Sequence, residues 1–435
     1  MTDATASPPE VARTTGGAFY RLVWKWHFLA ALYVLPFMAL LSITGALYLY
    51  KPQIEEWIYA DRLNVSIGAE VLPFEDQVAA VEATVGITRL RGITTAELPG
   101  RSTLIEFNNG DKIRSYAWVN PYTAEVLAVT PRDETLMRMV KKIHGELLLG
   151  AFGTKFVELA AHWAIVMFIT GAYLWWPRGD RSLAQAMQPP GRKTPGRAWW
   201  RQTHLFTGML ATVLVVPILI TGLPWTDVWG GALDRVQQET GQSSKSLRFG
   251  GRVPGSTSES GTTLAQAEVF AIARAEGLAA PYELRPPKNA GAAFWIRSAS
   301  RDRFEQTELI VDQYSGAVLA RVDFTDNPPV AKAVSLGISF HQGELYGPLN
   351  LIQNTLAALL ALVLSVSGFV AWWARRPKGS LGVPAAPEAR LGIGMILLVI
   401  GLSILLPLVG ASLVLGLILD RLIFRRLGWF GAPQT

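Results

Sequence analysis

Ile143-His144-Gly145-Glu146-Leu147-Leu148-Leu149-Gly150 runs into an apolar stretch that ends Thr170-Gly171-Ala172-Tyr173-Leu174-Trp175-Trp176-Pro177-Arg178. Phe340-His341-Gln342-Gly343-Glu344-Leu345-Tyr346-Gly347 runs into another, which ends Ser367-Gly368-Phe369-Val370-Ala371-Trp372-Trp373-Ala374-Arg375. The step from His144 to Gly171 is 27 residues, and so is the step from His341 to Gly368. Upstream, His27 precedes Thr44-Gly45 and His204 precedes Thr221-Gly222, each by 17 residues to the threonine. Histidines and small-residue pairs that recur at fixed spacing read as two fused copies of one unit. Of the five histidines only His162 lacks a match, since Leu359 stands at the corresponding place.

Half of the 435 residues are apolar and 17% are charged. Runs close to the roughly 20 residues that cross a bilayer as helix recur at 22–48, 152–176, 200–223, 349–373 and 391–419. Such runs exclude a soluble domain and point to an α-helical membrane protein. No small-residue cleavage site follows the first run, so it reads as a retained span. Basic residues cluster between the second and third runs (Arg178, Arg181, Arg192, Lys193, Arg197, Arg201). Others follow the fourth run (Arg375, Arg376, Lys378, Arg390) or precede the first (Arg13, Arg21, Lys25). The positive-inside rule places all three groups in the cytoplasm and the two long polar segments outside. The net charge of +6 is then a topology signal, because its basic residues sit in short loops beside spans, and it does not argue for nucleic-acid binding.

The chain accordingly divides into a cytoplasmic segment (1–21), a first transmembrane helix (22–50), an external domain (51–140), and a His-containing pre-span segment with the second helix (141–176). A basic loop (177–199), a third helix (200–223), a second external domain (224–335) and a second His-containing segment with the fourth helix (336–374) repeat the plan. A basic loop (375–390) and a C-terminal membrane segment (391–420) complete it. That last segment is expected to be one apolar helix that spans once, with a kinked or re-entrant segment as the alternative, since it contains Pro407 and is followed by Arg421, Arg425 and Arg426. Absence of cysteine excludes disulfides, thiolate metal sites and haem attached through Cys-x-x-Cys-His.

Each external segment opens with a helical pattern, 74–83 and 264–275, and continues in strands. Strands at 103–107 and 112–119 flank Asn109-Gly110, a pair suited to a tight hairpin. In the second segment the strands fall at 294–297, 306–311 and 317–322. The turns Asn120-Pro121-Tyr122-Thr123-Ala124 and Asp312-Gln313-Tyr314-Ser315-Gly316 align. Each segment thus reads as a small α+β unit, with a mobile Ser/Gly/Thr-rich loop at 243–263.

Helix, strands, the [DN]-x-Y-[ST]-[GA] turn, the His-containing pre-span segment and the T-G-x-Y-L-W-W-P-R span end together resemble the PepSY-associated transmembrane family, over residues 20–376. That family includes iron-regulated inner-membrane proteins and ferric-siderophore reductases of the FoxB type. The resemblance implies two fused repeats, each a pair of spans around an external PepSY-like domain, in the bacterial inner membrane with both domains periplasmic. It further implies haem b in the membrane and electron delivery to a periplasmic iron complex. The apolar tail after Leu391 departs from the core pattern.

The histidines supply the chemistry. Parallel repeats put His27 and His204 at one depth on partner helices, and His144 and His341 at another. Imidazoles facing across a bundle can hold a haem through both axial positions. His162 lies about 22 Å from the cytoplasmic end of its span at 1.5 Å per residue. Gly150 and Gly153 are expected to break the helix, so that an outer haem has His162 with His341 or His144 as ligands. The blander reading is a histidine that only hydrogen-bonds a neighbouring helix, or one that caps a helix beside the membrane. Membrane burial of an ionisable side chain argues against it, most firmly for His162.

Glu146 and Glu344 follow the outer histidines, and Arg114, Arg285 and Arg297 are candidates to face a propionate or an anionic complex. Solvated side chains are the default for all five. Trp175, Trp176, Trp372 and Trp373 fit an interfacial belt. No G-x-G-x-x-G or Walker loop occurs. The expectation is therefore a protein with two haems b that passes electrons from a quinol or a cytoplasmic reductase to a ferric siderophore. Two other classes remain open, a membrane-anchored regulator of a periplasmic protease and a permease for an iron complex.

Overall fold

The computed structural model describes residues 15–95, 98–247, 253–256, 261–384, 392–419 and 421–422. Arg13, Arg390, Leu391, Arg425, Arg426 and parts of the 243–263 loop lie outside the described residues. The chain divides into two units. One comprises residues 1–43, 156–219 and 357–435, the other residues 44–155 and 220–356.

Four helices are long and apolar enough to cross a membrane. They are α1 (Thr15–Leu49), α6 (Gly150–Trp175), α8 (Gly196–Gly222) and α12 (Pro348–Trp373). At 1.5 Å per residue the 26 residues of α6 reach about 39 Å, enough for a hydrocarbon layer of about 30 Å. Within the first unit, Phe168, Ala211, Val215, Ala357 and Ala361 are buried against Met38, Leu214 and Leu364. Alanine at these contacts lets helix backbones approach closely where no hydrophobic force drives them together. Val213, Leu359 and Val363 stay exposed, as lipid-facing side chains do. At the helix ends Arg376 stacks on Trp373 at 3.6 Å and Arg375 on Trp24 at 4.7 Å.

The C-terminal segment differs from the expected single helix. It forms α13 (Ile393–Leu405) and α14 (Pro407–Leu419), bent by 119° at Leu406. Proline at 407 has no N–H for the helical ladder, and its ring clashes with the preceding turn, so the helix stops and restarts. Each half has 13 residues, about 20 Å, which is short of a span.

The second unit carries the shorter helices α2 (Lys51–Ile58), α3 (Ala60–Leu63), α4 (Phe74–Val85), α5 (Leu136–Glu146), α9 (Val228–Glu239), α10 (Gln266–Ala275) and α11 (Pro329–Gln342). α7 (Leu183–Ala186), in the basic loop, starts at a capping box on Ser182. Eight antiparallel strands complete the second unit: β1 (Arg89–Thr94), β2 (Thr103–Asn108), β3 (Arg114–Val119), β4 (Val126–Pro131), β5 (Tyr282–Arg285), β6 (Phe294–Ser298), β7 (Thr307–Val311) and β8 (Val318–Asp323).

The strands form a single sheet in the order β4-β3-β2-β1-β5-β6-β7-β8. Each polar segment contributes four consecutive strands, and the two sets join edge to edge. β1 pairs with β5 through Ile93↔Leu284 and Thr94↔Glu283, so the two polar segments are continuous. One face of the sheet buries Ile105, Phe107, Ala117 and Val119 under Val81 of α4. The same face buries Leu284, Phe294, Ile296 and Leu309 under Val269, Phe270 and Ala273 of α10. Phe74 meets Phe270 at 4.6 Å between α4 and α10. Both aligned turns are built alike. The Tyr122 amide donates to Asn120 Oδ1 and the Tyr314 amide to Asp312 Oδ1, each at 2.9 Å.

Candidate cofactor-holding histidines

Each of four histidines is seated on a glycine of another helix. A Cβ placed on Gly171 would lie 3.2 Å from Cε1 of His27, and one on Gly368 would lie 3.0 Å from Cε1 of His204. The same holds for Gly45 under His144, at 3.3 Å, and Gly222 under His341, at 3.0 Å. A Cβ at any of the four would press on the imidazole, which would have to give by a few tenths of an ångström. The Thr-Gly and Ser-Gly pairs of the sequence are therefore seats for the histidines.

Hydrogen bonds fix two of the tautomers. His27 Nδ1 lies 3.0 Å from Thr170 Oγ1, whose own proton goes to the Val166 carbonyl at 2.9 Å. Thr170 therefore accepts, His27 Nδ1 carries the proton, and Nε2 holds the lone pair. His204 Nδ1 lies 3.1 Å from the Leu364 carbonyl oxygen, which can only accept, with the same result. His144 Nδ1 lies 2.9 Å from Thr44 Oγ1. A hydrogen bond on Nδ1 that orients the ring is the usual support for an imidazole whose Nε2 binds a metal.

The rings also come in pairs. His27 and His204 lie close enough to act on each other electrostatically. In the other unit the rings of His144 and His341 are 6.5 Å apart, centroid to centroid, at 77°. Trp225 stands edge-on to His341 at 5.2 Å. All four rings are half-buried.

Local structure explains how His144 is placed. α5 ends at Glu146, and Leu147 and Leu148 adopt left-handed φ of 52° and 61°. α6 begins at once, and a Cβ on Gly153 would overlap the Glu146 carbonyl oxygen. The expected break is present between Glu146 and Gly150, whereas Gly153 lies inside α6 and does not break it. His341 is placed differently. Asn354 Nδ2 donates to the carbonyls of Phe340 at 2.6 Å and His341 at 3.2 Å, and Asn350 Nδ2 donates to Phe340 at 3.2 Å. These amides satisfy the open carbonyls at the end of α11.

His162 is fully buried on α6, and Glu158 stands one turn before it, with Nε2 and Oε1 3.7 Å apart. The sequence reading passed over Glu158, although its place one turn before His162 in an apolar run was a signal. Trp225 was missed as well.

The remaining candidates have partners. Arg114 and Arg132 both reach Glu106, and Arg285 and Arg297 reach Glu283 at 2.9 and 2.7 Å. Glu344 lies 4.0 Å from Arg301, and burial pushes its carboxyl up against the pull of Arg301 and Arg303. Glu146 acts electrostatically on Lys141 of the same helix. An open cavity of about 670 Å³ lies beside the start of α10, lined by Glu75, Lys288, Gln313 and Tyr314 and by no histidine.

Four apolar spans, paired histidines and an antiparallel sheet outside the spans define a helical membrane protein with a folded polar domain. Residues 24–375 match the family model of the PepSY-associated TM region, and the chain belongs to that family. The match ends before α13 and α14. Comparison with curated proteins gives no match.

Proposed function

We propose that the protein is a haem-containing inner-membrane reductase that carries electrons across the membrane and reduces a ferric siderophore in the periplasm. The carrying observation is the His144–His341 pair. Its two rings lie 6.5 Å apart, centroid to centroid, and these are the residues that would hold the iron of a haem. No group of three His, Asp or Glu side chains suited to a bare metal ion occurs among the described residues. A pair of imidazoles suits a cofactor that brings its own equatorial ligands. In this reading the two halves of the chain are repeats, His27 and His204 hold one haem b, and His144 and His341 hold the second.

Bound haem would supply reversible one-electron chemistry at iron. The chain's own contribution is orientation. Thr170 and the Leu364 carbonyl fix Nδ1–H of the inner pair, and the four glycines leave room for the rings. The ferric complex is the substrate. Hard oxygen donors favour Fe(III), so reduction to Fe(II) weakens their hold and frees the iron. A complex held by both polar segments would lie against one continuous sheet, joined where β1 pairs with β5.

Absorption spectra of purified protein test the reading. A Soret band and an α band that sharpens with dithionite are expected, with two haems per chain. His27→Ala and His204→Ala should each remove one haem, and the double variant no more. His144→Ala and His341→Ala should behave likewise for the other. A folded, colourless preparation made with haem available overturns the proposal in favour of a protease regulator. Haem together with uptake of intact complex into vesicles would favour a permease.

A further inference from the structure

Glu158 and His162 are a carboxylic acid and an imidazole one turn apart in a membrane-length helix, and neither has exposed surface. Neither ring nitrogen of His162 has a hydrogen-bond partner among the described residues. Burial of such groups in a span is costly, and they mark a working site by default. Nothing in the paired-histidine arrangement uses them. The offset of 197 residues that relates His144 to His341 leads from this pair to Thr355 and Leu359, so the second half has no equivalent. Trp163, next to His162, donates through Nε1 to Ser412 of α14 at 3.1 Å. The C-terminal broken pair, which lies beyond the family match, is therefore tied to α6 beside His162.

We propose that Glu158 and His162 form the proton-accepting wall of a site for a lipid-borne hydroquinone, the electron donor of the reductase. The inference rests on the haem reading above. A hydroquinone dissolved in the bilayer can reach a span from the side. Its oxidation releases two electrons and two protons, and a low-dielectric site must provide a base for each proton. One O–H proton passes to the His162 imidazole and the other to the Glu158 carboxylate. Both O–H bonds break and the quinone is left. The two electrons would leave one at a time for the haems that the paired histidines would hold, each a one-electron acceptor when bound. The chain has no dinucleotide-binding loop that would let it draw electrons from a soluble cofactor.

The test uses the full-length protein in detergent with menadione and its hydroquinone, menadiol. Menadione should quench tryptophan fluorescence saturably, and the saturable part should vanish in Trp163→Phe. Glu158→Gln and His162→Asn should weaken that quenching about tenfold or more. Both should keep two haems and an unchanged Soret band, and both should reduce fully with dithionite. Menadiol should reduce their haem about tenfold more slowly than in the unaltered protein. Loss of a haem in His162→Asn overturns the proposal, because the imidazole is then a ligand. Unchanged quenching and unchanged menadiol rates in both variants overturn it as well. A haem-free preparation whose saturable quenching still depends on Glu158 would defeat the reductase reading and keep the quinone site. Haem without saturable quenching would do the reverse.

Discussion

The span Gly150–Trp175 and the span Pro348–Trp373 have the same length and the same seat for a histidine near their ends, yet they are built differently elsewhere. In the first, Gly153 packs directly on the backbone of the preceding helix end. In the second, the side-chain amides of Asn350 and Asn354 bridge the same kind of gap. At mid-span the first buries Glu158 and His162, while Leu359 in the second is 53% exposed. The histidine seats are among the features shared, whereas Glu158 and His162 are confined to the first span, so the two proposed roles can be separated by substitution.

The shared seat gives the largest expected effect. In Gly171→Val and Gly368→Val the new γ-carbons enter the space of the His27 and His204 rings. Each variant should lose one haem entirely, and the combination should lose no more, as measured by haem per chain. A Gly171→Val protein that keeps both haems would show that the seat is mere packing. The two helix-end devices come next. Gly153→Ala forces a backbone shift and should cost about 3 kcal/mol or more. Asn354→Ala removes the side-chain donor to the His341 carbonyl, leaves Phe340 with Asn350 alone, and should cost about 1–3 kcal/mol. Thermal unfolding in detergent compares them, and equal losses would mean that the two devices are interchangeable.

The polar halves can be separated by pH. Burial pushes the Glu283 carboxyl up, but Arg297 and Arg285 pull it further down, below its ordinary value of 4.5. Its ionised form is therefore favoured by folding. That stabilisation is complete above the unfolded value and is lost as pH falls through the lowered one. Glu283→Gln should cost about 1–2 kcal/mol at neutral pH and flatten the loss of stability below about pH 4.5. An unchanged acid limb would mean that the Arg285–Glu283–Arg297 cluster contributes nothing to folding.

The spans and the spacing of the histidines from their Thr-Gly or Ser-Gly pairs were legible because both are long or regularly spaced patterns, but which glycine seats which histidine was not. Nor were β1 and β5. Arg89-Leu90-Arg91-Gly92-Ile93-Thr94 mixes charge with an interior glycine, and Tyr282–Arg285 is only four residues long. Their strand character depends on each other, across nearly 190 residues of chain. Spacing gave His144 and His341 a common depth, but the direction each ring faces is set by Leu147, Leu148, Gly153 and the Asn350–Asn354 amides. Pro407 announced the break in the last apolar run, and the 119° bend follows from it.

The smallest effect is expected at Leu359, and it tests the asymmetry most directly. A side chain that faces lipid loses little when shortened, because lipid fills the space that it leaves. Leu359→Ala should therefore change stability by less than about 0.5 kcal/mol and leave haem content and menadiol reduction untouched. His162→Ala removes a fully buried ring at the corresponding place and should cost about 2 kcal/mol or more while keeping both haems. A large loss at Leu359 would mean that a further chain covers α12, and the contrast between the two spans would then belong to an assembly instead of to this fold.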